Sequence, residues 1–137
     1  MRQRRRSDCP IHFALAAFGD PWTLLIVRDL MFKRRATYSD FLRAEEKIST
    51  NILANRLAKL ESDGLALRDP GTGRYALTEK GIALMPILLE IMVWSADHDP
   101  KTAASPAFIA QIRADRDGLC AKMQRGLTPA TSQGHPS

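Results

Sequence analysis

The chain has 137 residues, the size of one domain on the usual scale of roughly 100–200 residues, and its 45% hydrophobic and 26% charged residues are an ordinary globular balance. Twenty Lys and Arg against fifteen Asp and Glu give a formal charge of +5, which suits a polyanionic partner. Two Cys and three His are too few for a disulfide scaffold or a dedicated metal domain, and the longest apolar run, Gly81 to Leu89, stops at Glu90, short of the ~18 residues a membrane span needs; a membrane protein, a secreted mini-protein and a multidomain enzyme are set aside.

The basic excess is local. Arg2, Arg4, Arg5 and Arg6 form an arm over residues 1–9, residues 28–74 carry ten bases against seven acids, and residues 79–125 carry six of each. The arm followed by apolar Ile11–Phe18 imitates a secretory signal, but the apolar run is short, holds His12 and leads into a strong helix, so a cytoplasmic protein is expected. Pro10 suits a first helical position, and that helix ends at Gly19. Asp20 and Pro21 restart the chain for a helix from Trp22 to Lys33, with Trp22, Leu25, Ile26 and Leu30 at helical spacing. Thr37 and Asp40 resemble a capping box, opening a short helix through about Lys47.

Ser49 is a second cap, for a helix to Asp63 that Gly64 stops. Leu53, Leu57 and Leu60 form its buried stripe, while Asn51, Asn55, Ala58 and Ser62 point away. Two short helices joined by a tight turn, the second presenting Asn and Arg near its start, make a helix-turn-helix pattern. The period then alternates: Leu65, Leu67 and Tyr75, Leu77 read as two strands around Asp69–Arg74, a hairpin in the position of a wing. Thr78 caps a helix to about His98, kinked at Pro86, whose Ile82, Met85, Leu89, Met92 and Ala96 form a seam for a partner helix. Met85, Leu89 and Met92 are thus the candidate dimer interface. Pro100–Pro106 reads as a linker, Ala107–Arg125 as one amphipathic helix, and the Pro- and Ser-rich end, from about residue 127, as a disordered tail. The organisation expected is an arm (1–9), a DNA-binding domain with dimerisation helices (10–99), a linker and last helix (100–126) and a tail (127–137).

These residues together resemble the HxlR family of bacterial winged-helix transcription regulators, relatives of MarR-type repressors. The resemblance runs from Cys9 to about His98. It rests on Cys9-Pro10-Ile11, Gly19-Asp20-Pro21-Trp22-Thr23-Leu24-Leu25-Ile26, Tyr38-Ser39-Asp40-Phe41-Leu42, Ile48-Ser49, Leu53 with Arg56-Leu57 and Leu60-Glu61, Asp63-Gly64-Leu65, and Tyr75-Ala76-Leu77-Thr78-Glu79-Lys80-Gly81. It implies a mainly α fold with a small β-hairpin wing, a homodimer, and binding to inverted-repeat operators, often as a repressor. The wing loop is shorter and more Gly-rich than in many members.

The candidate DNA contacts follow from the chemistry of the duplex. Asn can read adenine in the major groove, a Thr hydroxyl and methyl suit thymine, and a helix N-terminus with its cap hydroxyl suits a phosphate. That selects Ser49, Thr50, Asn51 and Asn55, with Arg56 and Lys59 on the flank; Arg56 is assigned to phosphate, or else to bracing Asp40, Glu45 or Glu46. Arg74, and less directly Arg68, would hold phosphates or enter a minor groove from the wing, and Lys33, Arg34 and Arg35 add positive surface. Cys9 at a helix N-terminus, with arginines nearby and Asp8 opposing, is a candidate redox sensor, as some relatives carry such a cysteine there. Cys120 reads as packing or exposed. Cys9, His12 and His98 are too scattered for a zinc site, Gly71-Thr72-Gly73 lacks phosphate-loop spacing, and no catalytic set converges, so neither an enzyme nor a cofactor is expected. The effector is left between thiol oxidation, a small molecule and none. The rival function is a winged helix for protein–protein contact, without specific DNA binding.

Overall fold

A computed structural model describes residues 6–131; Arg2, Arg4 and Arg5 of the basic arm lie outside it. The elements are α1 (Pro10–Phe18), α2 (Thr23–Phe32), α3 (Tyr38–Leu42), α4 (Thr50–Ser62), β1 (Ala66–Arg68), β2 (Tyr75–Leu77), α5 (Glu79–Ile82), α6 (Met85–His98), α7 (Pro106–Ala114) and α8 (Arg116–Arg125). The architecture is mostly helical with one two-stranded antiparallel sheet, a winged helix-turn-helix with flanking helices.

The caps do the local work. Thr37 Oγ1 accepts from the Asp40 N–H while the Asp40 carboxylate accepts from the Thr37 N–H, a complete capping box. The helix it opens ends at Leu42, not near Lys47, because the chain turns through 43–46 and Lys47 takes a left-handed φ of 59°. Gly64, at φ 74°, stops α4 as a residue without Cβ can at no steric cost. The wing register pairs Ala66 with Leu77 and Arg68 with Tyr75, and the Tyr75 N–H donates to the Ala36 carbonyl, tying β2 to the segment before α3.

Ile26 and Val27 from α2, Phe41 from α3, Leu53, Leu57 and Leu60 from α4, and Met85, Leu88 and Leu89 from α6 fill one core. Truncating one such Leu to Ala typically costs about 2–5 kcal/mol. Gly81 is required at its place: a Cβ there would lie 2.1 Å from the Leu65 carbonyl oxygen, so α5 meets the backbone of Leu65, just before β1, directly.

The expected single helix 107–125 is two. Asp115, at φ −161° and ψ 79°, breaks it and caps α8 by accepting from the Gly118 N–H. Both pieces pack on α6 and on each other, and Ile109, Ile112 and Cys120 join the core. Of the tail expected over 127–137, residues 132–137 lie outside the described ones; its start is docked, with Leu127 packed on the core and the Ala130 N–H donating to the Leu77 carbonyl. Glu79–His98 is long and apolar enough to match a membrane span by length and composition, which the uninterrupted apolar run did not suggest. About a third of it is buried in this core, and Glu90 near its centre pairs with Arg116 of α8.

Candidate nucleic-acid interface

Helix α4 is the second helix of the helix-turn-helix motif, and its exposed surface is the candidate for a major groove. Ser49 Oγ accepts from the Ile52 N–H at 3.2 Å, satisfying one orphan donor and leaving its own proton to give away. Asn51 and Asn55 are exposed on the face opposite the buried leucines, with Ala54 and Ala58 beside them, small enough for close approach of a partner backbone, and Thr50 is exposed at the helix N-terminus, in line with the leucine stripe. Tyr38, the first residue of α3, donates its hydroxyl to the Thr50 carbonyl at 2.9 Å and so fixes the angle between the two helices of the motif. In the sequence Tyr38 stands out only as part of a family pattern. Its signal was an aromatic with a hydroxyl beside a capping Thr, too common a pair to single out.

The two flanking cations turn inward. The Arg56 Nε–H donates to Asp20 at 2.9 Å, and a terminal N–H of the same guanidinium donates to Asn55 Oδ1 at 2.6 Å. The phosphate role expected of Arg56 yields to a bracing role, and its partner is none of Asp40, Glu45 and Glu46 but an acid 36 residues away. Lys59 was also expected at the DNA. Its ammonium instead donates to the carbonyls of Ala16 and Ala17 at 3.0 and 2.9 Å and pairs with Asp63. The last turn of α1 has no basic residue of its own, and Lys59 supplies that charge where the helix leaves carbonyls unpaired. The recognition helix is therefore clamped to the end of α1 and to the start of α2.

At the wing, Asp69 accepts from the Gly71 N–H and the Thr72 hydroxyl, the Gly73 N–H donates to the Asp69 carbonyl, and Gly73 takes a φ of 75°. The loop is thus internally bonded. Arg74 and Arg68 at its base are exposed, and neither has an ion pair among the described residues. Lys33 and Arg34 are exposed as well, whereas Arg35 pairs with buried Asp29. Arg28 makes a two-bonded pair with Glu46 at 2.8 and 2.9 Å; this hydrogen bonding outweighs partial burial and holds the Glu46 carboxyl down to about 2.

Cys9 is the N-cap of α1 and exposed, with no side-chain cap bond, while Cys120 is buried and burial pushes its thiol up. The dimer seam expected at Met85 and Leu89 is corrected: these are 1% and 0% exposed because they already fill the core of the single chain, and Met92 packs partly against it. The apolar residues that α6 leaves outside are Ile87, Ile91 and Trp94, at steps of four and three, and α1 leaves Ile11, Phe13 and Leu15. The cavity beside Trp22, Leu25 and Phe41 holds about 10 Å³, room for one water and no small aromatic.

The profile of the HxlR-like helix-turn-helix family matches residues 17–103. YybR of Bacillus subtilis (strain 168), an uncharacterized HTH-type transcriptional regulator, is 30% identical over 98 residues, covering 68% of this chain and 78% of its own. Among solved structures, quinone-bound YodB from B. subtilis is 31% identical at a TM-score of 0.57, covering 65% of this chain and 99% of its own. The redoxregulator HypR in its reduced form is 27% identical at a TM-score of 0.59, covering 67% and 95%.

Proposed function

The chain belongs to the HxlR-like helix-turn-helix family of transcription regulators, and we propose that it is a homodimeric repressor working on an inverted-repeat operator in duplex DNA in the cytoplasm. One observation carries this reading: an exposed polar face, Asn51 and Asn55, with exposed Thr50 at its N-terminal end, on a helix clamped at three places by Tyr38, Arg56 and Lys59. Two such helices enter successive major grooves. Ser49 and the N-terminus of α4 hold a phosphate, and Arg74 holds another from the wing. Binding to short duplexes selected from a random pool is measured across a salt series. Specific affinity should fall steeply with salt, as condensed counterions are released. A protein–protein module of the same fold would show neither selection nor that slope.

Cys9 is the proposed point of control. It sits exposed at one end of α1, and Lys59 of the recognition helix grips the other end. One solved neighbour is called a redoxregulator, which supports thiol oxidation as the signal, and another holds a quinone, which keeps a small molecule as the alternative. Diamide takes two electrons from two thiols, giving a disulfide and its own hydrazine. Two Cys9 thiols of a dimer can join if their Cα atoms come within about 7 Å. Operator binding by the wild type should change after diamide treatment and that of Cys9→Ser should not; equal responses would remove Cys9 as the switch.

A further inference from the structure

A guanidinium carries donors only, so the atom of the Asn55 amide that faces Arg56 must be its oxygen. That contact is 2.6 Å, and Arg56 cannot swing away freely because its Nε–H is held by Asp20. Asp20 is fixed in turn by the N–H groups of Trp22 and Thr23 and by the Thr23 hydroxyl. The order Asp20, Arg56, Asn55 therefore sets the side-chain amide of an exposed residue on the recognition helix. The amide is left with two N–H donors for a partner, and its oxygen lies against a positive charge. Asn51, one turn earlier, has no such neighbour among the described residues and keeps both halves of its amide.

The geometry points to Asn55 as a reader of hydrogen-bond acceptors, with guanine as its base, and to Arg56 and Asp20 as the positioning residues that fix this preference. The inference rests on the DNA-binding reading above. An unrestrained Asn pairs with adenine by accepting from N6 and donating to N7. Here the adenine N6 amino group, or the cytosine N4 group, would have to share the amide oxygen with the guanidinium through its second lone pair, beside a fixed positive charge, which disfavours that pairing against one that uses the two N–H donors alone. Guanine offers O6 and N7, both acceptors, and no major-groove donor. Asn51 retains the adenine pairing, so the two asparagines would read different bases.

The experiment uses the full chain and an operator selected from random duplexes. Comparing selections by wild type and Asn55→Ala identifies the base pair that Asn55 reads, as the position where preference relaxes. The wild type should prefer guanine there. Replacing that guanine with 7-deazaguanine, which lacks N7, should weaken binding roughly two- to tenfold, the net effect of one lost hydrogen bond. Inosine keeps both acceptors and should bind as guanine does, and 2,6-diaminopurine, which carries the N6 donor, should bind less well than guanine. Arg56→Met frees the amide and should admit adenine at that position. If that variant does not fold, the base analogues still decide, because they leave the protein untouched. A preference for adenine at that pair, indifference to 7-deazaguanine, or an Asn55→Ala selection identical to the wild type would each overturn the inference while leaving the DNA-binding reading intact. Failure to select any duplex would overturn both.

Discussion

Four hydrogen bonds converge on the Asp20 carboxylate, from the N–H groups of Trp22 and Thr23, the Thr23 hydroxyl and Arg56. Burial alone would raise its pKa, but the bonds from Thr23, Arg56 and the two backbone donors outweigh it and hold the carboxyl well below the usual carboxylate range. Glu46 is lowered in the same sense by Arg28. A depressed folded-state pKa contributes stability that is complete above the unfolded value, about 3.9–4.3 for these acids, and is lost as pH falls toward the folded value. The urea midpoint should therefore decline from about pH 5 downward. Asp20→Asn and Glu46→Gln should each lower stability near pH 6 and flatten the decline. Circular dichroism of urea unfolding between pH 2 and 6 measures this, and an unchanged slope in the double variant would reject the assignment. Asp20 was legible in the sequence as a cap because a cap is a local event. Its bond to Arg56 was not, because nothing local in the sequence links them and the fold brings together residues 36 apart.

Elements were legible where their ends carry side-chain chemistry. Thr37 with Asp40, Ser49, Gly64 and Thr78 all act at the places their types suggest. The break at Asp115 had its signals too, an Asp three residues before Gly118, but the apolar spacing from Phe108 to Met123 runs through it and outweighed them. Gly81 shows a different limit: its place in a family pattern is visible, while the reason is a carbonyl from another element. Gly81→Ala should force α5 off the Leu65 backbone and cost about 1–3 kcal/mol, as overpacking does. A thermal melt checks it, and a midpoint equal to the wild type would show that the approach relaxes freely. At the wing, Arg74 is exposed and outside any ion pair among the described residues. Arg74→Ala should weaken all duplexes alike and reduce the salt slope by roughly 1, the signature of one phosphate contact. A loss confined to one base pair would place Arg74 in a groove instead.

At the scale of the whole molecule, the surface left uncovered decides where a second copy can sit. Periodicity shows that a helix has apolar residues, yet in α6 they occur nearly all round, so spacing alone could not tell the side facing the chain's own core from the side facing a partner. The packing of α7 and α8 resolves this: with the core they cover Met85, Leu88 and Leu89, leaving Ile91 and Trp94 at 44% and 66% exposure. Burying such side chains between subunits is worth roughly 1.5–3 kcal/mol each when complete. In a two-fold dimer every interface residue counts twice, and a charge near the axis meets its own copy. Ile91→Glu should therefore give a folded monomer, with helical content and core melting retained because the residue touches solvent in the single chain. That monomer should bind one half-site weakly and lose the preference for a paired operator. Met92→Glu is the informative contrast, since Met92 packs partly on the core and its replacement should lower the melting midpoint whatever the assembly. Light scattering at micromolar concentration, with melting followed in parallel, separates the two effects. A monomeric wild type, or an Ile91→Glu protein that remains dimeric, would show that this face of α6 is not where the copies meet.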